Sequence, residues 1–175
     1  MTAANDIAFA RTMLKEALLL QSAGNLAAAE PRYRMVIEQG YRVAEVRPIL
    51  AGILGQRGAD DEALVLWGQV LTNEPDNAVA HHEQGLIHAR NGRFAAAIAA
   101  LEACCALTPE DAVAANNLAV TLADAGRKQE ALEQFGRALA LQPGNLHIEH
   151  QIRRLTAELV PFWHIPMLND TRRND

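Results

Sequence analysis

The sequence predicts an all-α protein of paired helices repeated along the chain, and three observations carry that expectation. Gly24, Gly58, Gly92 and Gly126 stand 34 residues apart; Ala29, Ala63, Ala97 and Ala131 keep the same interval, and so do Pro75, Pro109 and Pro143. A fixed period of this kind marks a repeat architecture in which each unit is one helix pair, too small to bury its apolar face alone. With 175 residues, 50% of them apolar and only 5% aromatic, the chain can bury a continuous core of Ala and Leu in one elongated domain.

The copy over 112–145 shows why these residue types recur. Leu118, Ala119 and Leu122 fall at helical spacing on its first helix, and Ala131, Leu132, Phe135, Ala138 and Leu139 on its second, so each helix has one apolar stripe seeking a partner. Ala119 and Ala131 set how closely the two approach. Gly126 ends the first helix, where a left-handed residue is nearly free of strain only without a Cβ. Pro143 closes the second, because it cannot continue a helix.

In chain order, residues 1–9 read as an N-terminal arm, with Asn5 or Asp6 available to cap the first helix. The first copy, 10–43, is the most degenerate: Tyr41 stands where later copies carry proline, and Pro31 is expected to delay the second helix by a turn. The second copy, 44–77, places Leu50, Ala51, Leu54, Ala63, Trp67 and Val70 in its core. Gly52 and Gly55 make its first helix either soft or closely approached by a neighbour, and Asp60, Asp61 and Glu62 open the next helix at the positive end of its dipole. The third copy, 78–111, supplies Gly85, Gly92, Ala97, Leu101 and Pro109. After the fourth copy, 146–160 reads as a capping helix, with Leu146, Ile152, Leu155 and Leu159 turned inward and Glu149, Arg153, Arg154 and Glu158 outward.

Over 10–160 these registers resemble the tetratricopeptide family. The resemblance implies a right-handed α-solenoid of about four helix-turn-helix repeats plus the capping helix, with a concave groove lined by the first helix of each pair. Mapped by the family pattern, the groove presents Arg11, Leu14, Lys15 and Leu18; then Glu45, Ile49 and Gln56; then His82, Glu83, Leu86 and Arg90; then Asn116, Asn117, Val120 and Asp124, with His150 and Arg154 from the cap. The positions at which some members grip carboxylate-ended tails carry Leu14, Leu18, Ile49, Val79 and Glu83, so that clamp is absent. Asn117 with Asn116 matches one rung of the asparagine ladder by which other members hold a peptide backbone. Asparagine is a poor helix former that offers both donor and acceptor to whatever lies alongside.

The tail over 161–175 does not belong to the repeats. Its order of His164, Met167, Leu168, Asp170 and Arg173 resembles the segment that opens the catalytic domain of protein arginine methyltransferases. The resemblance implies that His164, Met167 and Arg173 would lie against S-adenosylmethionine if such a domain follows. A disordered tail is the competing reading. No glycine-rich strand-to-helix turn and no strand pattern occurs in the sequence, so the chain is expected not to be an enzyme and to hold no cofactor.

Composition narrows the partners. The net charge of −5 disfavours a tracker of nucleic-acid phosphates and suits a basic, arginine-rich ligand. The first twenty residues lack a cationic leader, and Arg11, Lys15 and Glu16 interrupt their apolar run, so neither signal peptide nor membrane span is expected and the cytoplasm is the expected compartment. Cys104 and Cys105 are adjacent on a helix and read as buried thiols. His81 and His88 share a helix face, which makes a metal pair conceivable, and His147, His150 and His164 could in principle meet, but satisfied histidines are expected and no metal is assigned. Two functions remain: a scaffold binding a partner peptide or protein, as the substrate-recruiting front of a methyltransferase, or a stand-alone adaptor or self-assembling scaffold.

Overall fold

A computed structural model describes residues 3–159 of the chain. Among them are nine α-helices and no strand: α1 Ala3–Ser22, α2 Leu26–Glu38, α3 Val43–Gln56, α4 Asp60–Asn73, α5 Ala78–Arg90, α6 Phe94–Leu107, α7 Ala112–Asp124, α8 Lys128–Leu141 and α9 Leu146–Leu159. The described residues form two compact units, divided between Pro109 and Glu110. In the first, α1 pairs with α2, α3 with α4 and α5 with α6, while α2 packs on α3 and α4 on α5. In the second, α7 pairs with α8, and α9 packs on α8.

The inside of each pair is built from one small residue per helix and one large residue beside it. Ala17, Ala51 and Ala119 on first helices, and Ala29, Ala63, Ala97 and Ala131 on second helices, are fully buried. Gly85 takes the small position of α5, where a Cβ would lie 2.6 Å from Leu101 Cγ and 2.8 Å from Leu101 Cδ2. Tyr33, Trp67, Leu101 and Phe135 fill the space one turn further along the second helices. The Tyr33 hydroxyl donates to Gln21 Oε1, so the one phenol in this row keeps a partner on α1.

The turns inside the pairs share one geometry. Gly126 has φ +79, the left-handed conformation in which a Cβ would be strained. Beside it, Arg127 N donates to Leu122 O at 2.8 Å and Gly126 N to Ala123 O at 3.0 Å, which closes the end of α7. Side-chain caps start the helices that follow: Asn77 accepts from Ala80 N at 2.9 Å, Asp111 from Val113 N at 2.8 Å, and Asn145 from His147 N at 3.1 Å.

Three local expectations are corrected. The arm over 1–9 is helical from Ala3, so Asn5 and Asp6 lie within α1 and do not cap it. Pro31 does not delay α2, which starts at Leu26 with Asn25 as its cap and carries the proline inside; burial of Ala29, Tyr33 and Val36 outweighs the one backbone bond a proline removes. On α9 the buried side chains are Ile148 and Leu155, whereas Leu146 is 73% exposed and Leu159 39%. Residues 148, 152 and 155 form the helical stripe, and Leu146 stands two residues outside it. Glu158 is exposed, as expected, and its carboxylate lies 2.8 Å from Lys128 Nζ on α8.

Candidate peptide-binding face

Most of the residues expected to meet a ligand fall into three rows of the repeat. Lys15, Ile49, Glu83 and Asn117 are equivalent positions, as are Leu14, Pro48, His82 and Asn116, and as are Gln56, Arg90 and Asp124. Most are left outside the hairpin contacts, because helical spacing sends them away from Ala17, Ala51, Gly85 and Ala119.

In the first unit, Arg11, Lys15 and Leu18 are exposed on α1 and Gln56 is exposed at the end of α3. Leu14, mapped to the face, is nearly buried. With Leu18, Val46, Ile49, Arg42 and Glu45 it lines a recess of about 210 Å³ between α1 and α3. His82 and Glu83 are half-buried on α5, with His82 Nδ1 3.7 Å from Glu83 Oε1.

Arg90 is committed elsewhere. Its Nε donates to Asp60 Oδ2 at 2.9 Å, its Nη2 donates to the Gly55 carbonyl at 2.9 Å, and Asn91 Nδ2 adds a bond to Asp60 Oδ2 at 2.6 Å. These bonds tie the end of α5 to the end of α3 and the start of α4. The Arg90 hydrogen bond is the main reason the Asp60 carboxyl titrates below its ordinary value, and Asn91 and the surrounding positive charge add to it. The opening acids of α4 thus serve architecture, and Arg90 is a clasp.

In the second unit, α7 presents Asn116, Asn117 and Val120 half-buried and Asp124 exposed. Asn116 Oδ1 is buried and has no hydrogen-bond partner among the described residues. Ala112, Val113 and Asn116 line a recess of about 130 Å³ with Gln142, Asn145, His147 and Ile148. Asn117 contributes its backbone carbonyl to the Thr121 hydroxyl at 2.8 Å. His150 and Arg154 on α9 are exposed.

The histidines considered for a metal have other surroundings. His81 Nε2 lies 2.9 Å from the Pro75 carbonyl, and burial, with Arg93 adding to it, pushes the His88 imidazole below its ordinary value. No group of three His, Cys, Asp or Glu able to hold a metal occurs among the described residues. Cys104 and Cys105 are buried on α6. No described helix is long and apolar enough to cross a membrane. His164, Met167 and Arg173 lie outside the described residues. The α1/α3 recess was not read from the sequence as a cavity, although Leu14, Leu18, Glu45 and Ile49 of its lining were mapped to the groove.

Helix hairpins stacked at a fixed sequence interval, with small residues inside and polar residues outside, define an α-helical repeat protein. The chain belongs to the tetratricopeptide repeat family, whose model matches residues 14–78 and 82–145. The fold is similar to that of MamA from Desulfovibrio magneticus RS-1, with a TM-score of 0.80 at 17% identity over 85% of this chain and 84% of that one. It is also similar to YrrB, described as a TPR protein with an unusual peptide-binding site, with a TM-score of 0.75 at 19% identity over 82% of this chain and 74% of that one. In sequence the chain is similar to protein arginine N-methyltransferase 9 of Xenopus laevis, 37% identical over 68 residues, and to that of Mus musculus, 38% identical over 68 residues. The aligned stretch is 39% of this chain and 8% of each of those two relatives.

Proposed function

We propose that the chain is a scaffold that binds a partner peptide or protein through the outward faces of its first helices. The observation that carries this reading is Asn116, whose buried Oδ1 lacks a partner. An unpaired buried acceptor costs about 1–3 kcal/mol, and an incoming main-chain N–H would satisfy it. The YrrB fold, with its described peptide-binding site, supports the same reading. An arginine-rich ligand rests on the net charge of −5 alone. The cytoplasm is the compartment we propose, on a chain with only two cysteines, adjacent on one helix and unsuited to a disulfide framework.

The test is a peptide array probed with the chain, followed by solution titration of the retained peptides. Changing Asn116 and Asn117 together to Ala leaves the fold intact and weakens a retained peptide by about 1–3 kcal/mol, the sum of two or so backbone bonds. Unchanged affinity would move the binding surface to the second helices.

The finer reading is that this scaffold recruits substrate for a methyltransferase. It is supported by the 68-residue similarity to protein arginine N-methyltransferase 9 and by the order His164, Met167, Arg173. The chain alone has too few walls to enclose S-adenosylmethionine, so calorimetry on it should detect no binding. A protein extended through the following reading frame should bind the cofactor, and His164→Ala or Arg173→Ala should weaken it. Absence of binding in the extended protein leaves the adaptor reading.

A further inference from the structure

Helices α1 and α3 leave between them an apolar recess of about 210 Å³, walled by Leu14, Leu18, Val46 and Ile49 and rimmed by Arg42 and Glu45. Leu14 is 9% exposed and Leu18 48%, so the recess is apolar at depth and open at its edge. An apolar cavity of about 150 Å³ holds a benzene molecule, and this space therefore accepts one aliphatic side chain of leucine or methionine size.

The charge around it is one-sided. Arg42 and Glu45 satisfy each other, with Arg42 Nε donating to Glu45 Oε1 at 2.9 Å. Arg11 and Lys15 share the face of α1 that carries Leu14 and Leu18, by their i, i+3, i+4, i+7 spacing. Both are exposed, and neither has an ion pair among the described residues. The nearby carboxylate of Glu16 is directed to Arg32 on α2, at 3.6 Å. Two unpaired cations beside an apolar recess are a local exception in a chain of net charge −5. Arg42 adds a further sign of constraint: it is the one non-glycine residue with positive φ among the described residues, at +48, a strained conformation retained at the recess rim.

We infer that this recess anchors one leucine or methionine of an extended partner peptide whose neighbouring residues are acidic and meet Arg11 and Lys15. The inference rests on the peptide-binding reading above, and at this recess it replaces the arginine-rich ligand drawn from net charge with an acid-flanked peptide. The anchor supplies affinity through apolar burial, and the flanking carboxylates supply orientation and a salt-sensitive approach. A lysine- or arginine-flanked peptide meets like charge at the same place.

The test uses an array of synthetic dodecamers in three sets: a central Leu or Met flanked by Glu, the same centres flanked by Lys, and a central Ala flanked by Glu. The first set is retained and the other two are not. In titrations of a retained Glu-flanked peptide, Leu18→Asp raises Kd about 10- to 100-fold, and added salt raises it further. Arg11→Glu with Lys15→Glu reverses the preference toward Lys-flanked peptides. All three positions are exposed, so unchanged thermal melts separate lost binding from lost folding. Equal retention of Lys-flanked peptides, or an unchanged Kd in Leu18→Asp, overturns the inference. If retained peptides respond to changes at Asn116 and Asn117 and not at Leu18, the peptide-binding reading stands without it. An array that retains nothing overturns both.

Discussion

Helices α1 and α7 occupy the same place in their hairpins and agree on only one side. Ala10 and Ala17 of α1 correspond to Ala112 and Ala119 of α7, and all four are buried. On the other side, Leu14, Lys15 and Leu18 correspond to Asn116, Asn117 and Val120. The inward positions are held small because a second helix packs on them, whereas the outward positions face no second helix of their own pair. A constant inside means that the hairpin contact specifies the fold, and the divergent outside is the face proposed to meet the ligand. Helix α9 extends the comparison: its equivalent of Ala17 is Arg153, which is exposed, and no described helix follows it.

The largest effect that could break this comparison lies at the inward positions. Gly85→Val places a branched side chain where even a Cβ would come within 2.6 Å of Leu101 Cγ. Urea melts should show a loss at or above the top of the range of about 1–3 kcal/mol for overpacking. Ala97→Leu and Ala131→Leu fall within that range, since both alanines are fully buried. Ala99→Leu, at an exposed site of α6, changes stability by about 0.5 kcal/mol or less. Equal losses at Ala97 and Ala99 would show that the contact does not run along the small-residue row.

The same inward rule explains how much could be read from sequence. Residues with one physical role, such as Gly126 in its left-handed turn or Ala131 in its contact, announce themselves by type and interval. Pro31 misleads because local propensity is outweighed by the packing of Tyr33 and Val36, which no single residue displays. On α9, Leu146 resembles a core residue by type, yet the stripe begins at Ile148; one two-residue offset turns a side chain to solvent. Arg90 looked available to a ligand, and only the folded chain brings it to Asp60, 30 residues away. The α1/α3 recess is a gap between helices, and a gap has no residue type. The outward face was legible as a set of positions, because spacing fixes direction, but not as a site.

A smaller effect sharpens the outward half of the comparison. Asn116→Leu removes a buried acceptor that has no partner, and apolar replacement of an unsatisfied group is neutral or favourable. The variant should be more stable than the parent by about 1 kcal/mol or less, and it should bind a retained peptide more weakly. Leu14→Asn, the exchange in the other direction, should destabilise, because it puts an amide into the apolar recess. If Asn116→Leu instead lowers the melting temperature, its amide is a structural group, and the division between inside and outside fails at α7.

The smallest effect concerns the clasp that removes Arg90 from the outward face. Asp60 titrates below its ordinary value of 3.8 because Arg90 and Asn91 donate to its carboxylate. A carboxyl depressed in the folded state stabilises the protein above its unfolded value, and that contribution is lost as pH falls through the folded one. The parent should therefore lose stability from about pH 4 downward more steeply than Asp60→Asn or Arg90→Ala. Arg90 is 44% exposed, so solvent screening holds the difference under about 1 kcal/mol. Between pH 6 and 8 the carboxylate stays ionised in both states, and the clasp should give a constant offset there. A series of thermal melts from pH 3 to 8 reads both regimes. Acid limbs of equal slope in parent and variants would mean that the pair does not hold in solution, which would return Arg90 to the face on which its helical register first placed it.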